Sequence, residues 1–157
     1  MAGVEVTSTV VRKTFVKIPT AITGPMSVKA GFPAGQADSL TLNKAIWNEF
    51  GTRGGASGGG WGGPIPERPF MRNAARTNML SYVNILKSQV SALVTGKTTT
   101  RAILSKFGVL MVGDIQKEMA SGSFAPNSAV TVERKGSSRP LIDTGEMRQK
   151  VTFKVGD

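Results

Sequence analysis

The chain has 157 residues, 39% of them hydrophobic, which is enough for one domain with a modest core and short appendages. It carries 20 Lys and Arg against 10 Asp and Glu, a net charge of +10 that favours an anionic partner, either nucleic acid or an acidic protein surface. Cys and His are both missing from the sequence, which excludes the usual zinc sites, thiol and Ser-His-Asp nucleophiles and imidazole acid–base chemistry, so neither an enzyme nor a cofactor is expected.

Residues 1–9 alternate polar and apolar side chains without the apolar run of an export signal. Val4, Val6, Val10, Val11, Phe15 and Ile18 suggest extended or mixed structure over residues 4–18, and Pro19, Gly24 and Pro25 then punctuate the chain. Residues 1–25 are therefore read as an N-terminal extended segment and 26–157 as a single domain. Met26, Val28, Ala30 and Phe32 alternate with Ser27, Lys29 and Gly31, the period of a half-buried strand, which Pro33 and Gly35 end.

Leu40 to Thr52 has apolar residues at 40, 42, 45, 46, 47 and 50, a spacing that fits a short helix or a strand about equally; the reading favours a helical turn running into a strand end. From Gly51 to Gly63, eight of thirteen residues are glycine. With few side chains to offset its ordering entropy, this segment is expected to be a mobile loop unless a neighbouring molecule holds it. Trp61 within it reads either as an interface anchor or as a disordered tip.

Pro64, Pro66 and Pro69 enforce an extended approach to a helix expected from about Asn73. Met79, Tyr82, Val83, Leu86, Val90, Leu93 and Val94 recur every three or four residues, and Gly96 is placed as the stop. Thr98, Thr99 and Thr100 offer caps for a second helix marked by Ile103, Phe107, Met111, Ile115 and Met119, which Gly122 ends. The apolar clusters between Ile103 and Val112 are broken by Ser105, Lys106 and Gly108 and fall well short of the roughly 20 residues of a membrane span.

Ala129 to Gly136 reads as a strand. Asp143 lies three residues before Glu146, the spacing of a capping box, so a short helix at Glu146–Lys150 should lead into a strand bearing Val151, Phe153 and Val155 on one face. Together these elements predict an α+β fold: an antiparallel or mixed sheet covered by two amphipathic helices, with a short C-terminal helix–strand unit.

Candidate chemistry is sparse. "GKT" at Gly96–Thr98 resembles the end of a phosphate-binding loop, but the glycine required five positions earlier is Ser91, inside the expected helix. Asp114 and Glu118 share a helix face, with no further carboxylate at a useful spacing, and read as a solvated surface. Arg68, Arg72 and Arg76 recur at four-residue intervals and, with Arg134 and Lys135, are candidates to contact either the phosphates of a nucleic acid, as DNA threading a channel would present them if the resemblance drawn below holds, or an acidic partner. Few aromatics interleave these charges, which argues against a single-strand stacking platform.

Three pieces, in order, resemble the tailed-bacteriophage family of neck, head-tail joining and tail-completion (putative tail-component) proteins. They are "VKAGFPAG" with "AIWNEFGT" (Val28–Gly35, Ala45–Thr52), "IPERPFMR" (Ile65–Arg72) and "PLIDTGEMRQKVTFKV" (Pro140–Val155). The glycine-rich stretch before Pro64 and the N-terminal segment depart from that pattern. The resemblance implies a virion protein at the head-tail junction, assembled in the host cytoplasm. It would form a ring, sixfold or alternatively twelvefold, that joins connector or head-completion proteins to tail-terminator or tail-tube proteins and lets double-stranded DNA pass. A tail terminator, or a free-standing basic nucleic-acid-binding protein, is the alternative; no membrane partner is implied.

On this resemblance Asn48, Glu49, Phe50, Gly51, Pro66, Pro69, Phe70, Asp143, Thr144 and Gly145 are structural motif residues. Asn48, Glu49 and Gly51 would make a locally bonded turn, Phe70 a core anchor, and Asp143 and Thr144 a helix cap. Arg53, Trp61, Glu67 and Arg68 are candidates for subunit or partner contact.

Overall fold

A computed structural model of the protein describes residues 22–53 and 64–156. Their order is β1 (Ser27–Gly31), α1 (Ser39–Phe50), α2 (Phe70–Val94), α3 (Thr100–Ser121), α4 (Ala129–Lys135), α5 (Glu146–Gln149) and β2 (Thr152–Gly156). The fold is α+β and mostly helical. β1 and β2, from the two ends of the described chain, pair antiparallel from Ser27 opposite Gly156 to Gly31 opposite Thr152. The expected extended structure at 4–18 lies outside the described residues, as do Trp61 and most of the glycine-rich stretch.

Residues 40–50 are helical throughout, which corrects the expected strand end. Thr41, Ala45 and Glu49 are the buried positions, and their four-residue spacing selects a helix over the alternation of a strand. Asp38 caps this helix, accepting from the Thr41 N–H at 2.9 Å and the Thr41 hydroxyl at 2.7 Å, and these bonds lower its carboxyl pKa. Gly51, at φ 69°, ends it; a Cβ there would lie 3.0 Å from the Ile65 carbonyl oxygen.

α2 begins three residues before the expected Asn73, because Pro69 can occupy the N-cap without loss of a helical hydrogen bond and Phe70 enters the core directly. Gly96, at φ 72°, turns the chain after α2 and donates to the Leu93 carbonyl. Thr99 then caps α3, accepting from the Ala102 N–H at 3.2 Å. α2 and α3 thus form a helical hairpin, and α3 also packs on both strands.

The core joins Ala45, Phe70, Ala74, Ile115, Met119, Leu141 and Val151, drawn from α1, α2, α3 and the C-terminal segment. Phe32 meets Phe70 edge to face at 6.5 Å. Where α3 crosses the sheet, Gly108 is buried, and a Cβ there would overlap the Phe153 ring, whereas Gly113 faces open space. Gly113→Ala is therefore expected to stabilise the protein by up to about 1 kcal/mol, as in any exposed helix interior. Gly108→Ala should destabilise it, because forcing the ring aside costs about 1–3 kcal/mol and outweighs the same propensity gain. Urea midpoints of the two variants moving in the same direction would contradict this packing.

Residues 129–135 form a helix, which corrects the expected strand. Ser128 caps it through the Thr131 N–H at 3.3 Å, and Gly136, in the left-handed region, donates back to the Val132 carbonyl. Local capping at both ends overrides the Val130–Val132 alternation in a segment that has no strand neighbour among the described residues. The capping box expected of Asp143 does not form. Gly145 occupies the N-cap of α5 with φ 82° and no side chain to accept a bond, while the Glu146 N–H reaches the Thr144 hydroxyl at 3.4 Å. The expected C-terminal helix–strand unit is present as α5 and β2.

Candidate functional site

The second resembling piece wraps around the end of the first. Asn48 and Glu49 belong to the last turn of α1, not to a separate turn, and both reach out of their own helix. The Asn48 carbonyl accepts from the Arg68 N–H, and its side-chain oxygen accepts from Arg68 Nη1 at 2.9 Å. Glu49 is 1% exposed and accepts the N–H groups of Met71 at 2.9 Å and Arg72 at 3.1 Å. A carboxylate thus satisfies two free N–H groups at the start of α2, where the helix dipole favours negative charge. Thr52 and Ile65 exchange two further bonds across the segment 53–64.

Arg72 completes this junction. Its Nε donates to Glu49 at 3.0 Å, a second nitrogen donates to Glu67 and to the Glu49 carbonyl, and its guanidinium lies 5.1 Å from the centre of the Phe50 ring. The hydrogen bonds it donates to Glu49 first, then to Glu67, raise its pKa further above the ordinary range.

Arg68 is 5% exposed, and burial lowers its pKa. Its Nε donates to the Ala125 carbonyl at 2.8 Å and its Nη2 to the Pro126 carbonyl at 3.0 Å, tying α1 to the segment that follows α3. The three arginines therefore do not form one outward stripe. Arg68 is spent on the chain's own carbonyls, Arg72 on Glu49 and Glu67, and Arg76 stands exposed on α2. Four-residue spacing across the Pro69 boundary misled because Arg68 precedes the helix.

On the other side of Arg68 lies a cleft of about 760 Å³ that gathers several of the remaining candidates, Pro66, Arg134, Lys135, Asp143, Thr144 and Gly145, together with Lys44. Lys135 donates to the Arg139 carbonyl at 2.9 Å, and burial lowers its pKa against the opposing pull of Asp143. Arg53 is exposed at the edge of the described residues. The Ala125 and Pro126 carbonyls carry no side-chain signal in the sequence, and Asp114, expected on a solvated surface, instead pairs with Tyr82.

The Tyr82 hydroxyl donates to Asp114 at 2.8 Å, and its ring meets Phe107 edge to face at 5.1 Å. Burial, followed by the bond to Asp114, raises its pKa above 10.0. A phenol whose pKa is higher in the folded state contributes stability that is complete below the unfolded value and is lost as pH rises beyond it. Alkaline destabilisation is thus expected to set in above about pH 10. Tyr82 is the sole tyrosine of the chain, so tyrosinate absorbance reports it alone. A native-state titration with a midpoint at or below 10.0 would contradict this burial.

Asp114 and Glu118 are engaged within the hairpin, Glu118 accepting from Asn73 at 3.3 Å. Among the described residues no group of acidic side chains could hold a metal ion, and no helix is long and apolar enough to cross a membrane. Searches against protein-family models, curated proteins and solved structures match nothing to this chain.

What the described surface offers most plainly is apolar. On α1 the face opposite the core exposes Leu40, Leu42, Ile46, Trp47 and Phe50, the last at 62%. On α2, Leu80 is 80% exposed and lies in line with Val83 and Val90.

Proposed function

We propose that this chain is a structural subunit of the neck of a tailed bacteriophage, a non-enzymatic protein that assembles as a ring between the capsid connector and the tail and surrounds the passing DNA. The observation that carries it is the outer face of α1, where five large apolar side chains are exposed on one twelve-residue helix. Contiguous apolar surface of that kind marks an interface with another protein. The resembling pieces support the same reading, since "NEFG" and "IPERPFMR" interlock to hold α1 and set the direction of that face. In this reading the sheet is backed by two amphipathic helices, α3 on the strands and α2 behind it.

Sedimentation velocity and negative-stain microscopy of the purified chain should show closed rings of six or twelve copies, and localisation should place it at the head-tail junction of a virion. A species that stays monomeric at high micromolar concentration, or is absent from particles, overturns the reading.

A second reading, a free-standing basic nucleic-acid-binding protein, has its own observation. From Arg68 to Gly113 there is no acidic residue, and Arg76, Lys87, Lys97, Arg101 and Lys106 are all exposed. A monomer that binds duplex DNA with a steep salt dependence would favour it over the ring.

A further inference from the structure

Where α2 turns into α3 the two helices leave an apolar hollow between them. Leu86, Val90 and Leu93 of α2 and Ile103 and Leu104 of α3 line it, around a volume of about 200 Å³. The chain entering β1 closes one side with Ile22 and Met26. That wall is fixed in place. The Thr100 hydroxyl, in a residue only 8% exposed, donates to the Thr23 carbonyl at 3.1 Å, and a Cβ on Gly24, at φ 106°, would lie 2.6 Å from the same hydroxyl. The hollow opens to solvent between Ile22, Met26 and Val90, each more than half exposed.

The charge around this opening has one sign. Lys87 stands three residues before Val90, Arg101 three before Leu104 and Lys106 three after Ile103, so each is a helix-surface neighbour of a residue that lines the hollow. Lys97 lies in the turn that joins the two helices. All four are exposed, and none has a carboxylate partner among the described residues. The segments that build the hollow, residues 22–37 and 69–113, contain no Asp or Glu.

We infer that this hollow is a docking site for another protein, and that its occupant is an acidic amphipathic segment. The segment seats one large apolar side chain between α2 and α3 and sets carboxylates against Lys87, Arg101 and their neighbours. Size and charge select it together. The hollow is smaller than the roughly 300 Å³ at which small-molecule sites begin, but it admits a side chain. The backbone of duplex DNA presents phosphates to the cations and nothing to fill an apolar space between them. The chain's own residues 1–21 carry Arg12, Lys13 and Lys17 against Glu5, so like charge opposes them. A second copy supplies no such segment either. Acidic residues fall within four positions of each other only at Asp114 with Glu118, both engaged inside the helical hairpin, and at Asp143 with Glu146, which Arg148 and Lys150 follow. An apolar anchor inside a rim of complementary charge is the arrangement of a specific interface. The inference goes beyond the ring reading and does not depend on it, because one copy of the chain holds the whole site.

The probes are three labelled helical peptides and a labelled duplex DNA, titrated into the full chain and followed by anisotropy. The first peptide has Leu and Trp on one face and Glu on the other; the second replaces its apolar residues with Ser, and the third replaces its Glu with Lys. The first is expected to bind with a Kd of about 10–100 µM, and the other two at least about tenfold more weakly. Met26→Gln with Val90→Gln, both at exposed sites, should keep the circular dichroism spectrum, lose about tenfold in affinity for the first peptide and leave DNA binding unchanged. Lys87→Glu with Arg101→Glu should also lose the first peptide, most strongly at low salt, and gain affinity for the Lys peptide. If the first peptide fails to bind at about 1 mM, or binds no better than its Ser form, the inference is overturned. Duplex DNA bound more tightly than the first peptide, with peptide binding indifferent to the Met26 and Val90 changes, assigns the surface to nucleic acid and overturns it too. If the first peptide binds only after Phe15→Gln with Ile18→Gln, the chain's own N-terminal segment fills the hollow, and the inference falls whether or not the protein forms rings.

Discussion

Replacing Glu49 with alanine is expected to destabilise the protein by about 3 kcal/mol, the loss of two charge-assisted bonds at a buried helix start. The side chain is 1% exposed and accepts the Met71 and Arg72 N–H groups, so alanine leaves both donors buried without partners. It also leaves the Arg72 guanidinium with only Glu67 and the backbone carbonyl of residue 49, although solvent relieves part of that cost because the Arg72 side chain is 37% exposed. Glu49→Gln separates the contributions. Its carbonyl oxygen can still accept one N–H, but its amide would point a donor at the other, so a loss of about 1–2 kcal/mol is expected. Urea unfolding followed by circular dichroism provides both numbers. If alanine and glutamine cost the same, shape and not charge holds the junction.

That junction explains how much of the fold could be read in advance. The spacing of apolar residues located α2 and α3, and glycine marked where each stops, because those signals are local to one helix. β1 and β2 were also visible as alternation, although their pairing across 129 residues was not. Residues 40–50 were ambiguous because α1 is apolar on both sides: Ala45 faces the core while Leu42, Ile46 and Phe50 face outward, so the periodicity that distinguishes helix from strand is blurred. The same outward residues now form the proposed interface. Local signals failed where function would break the pattern of a monomer.

The candidate residues divide in the same way. Asn48 and Glu49 were legible as motif residues and Arg68 and Arg72 as candidate contacts, but their joint role depends on partners that are distant in sequence: backbone N–H groups at 71 and 72 and carbonyls at 125 and 126. No side-chain pattern encodes those atoms. Arg68, read as a surface cation, is instead an internal tie. Of the three arginines only Arg76 is exposed, on α2, and further exposed cations, Lys87, Lys97, Arg101 and Lys106, follow it along α2, the next turn and α3.

Phe70→Ala should cost about 3–5 kcal/mol, the range for an aromatic lost from a packed core. Phe70 is fully buried at the first position of α2, between Ala45 of α1, the Phe32 ring that follows β1, and the side chains of α3. Leucine in its place keeps most of the apolar contact but loses the edge-to-face pairing, so a smaller loss of about 1–2 kcal/mol is expected. Phe70 directly precedes the two residues whose N–H groups Glu49 caps, and removing the ring frees the first turn of α2 to shift away from that carboxylate. The losses from Phe70→Ala and Glu49→Ala should therefore fall short of additivity by about 0.5 kcal/mol or more in a double-mutant cycle. Strict additivity would mean that the core and the junction hold α1 independently. Coupling would mean that the direction of the α1 outer face, and with it the geometry of any ring, is set by core packing and the buried carboxylate acting together.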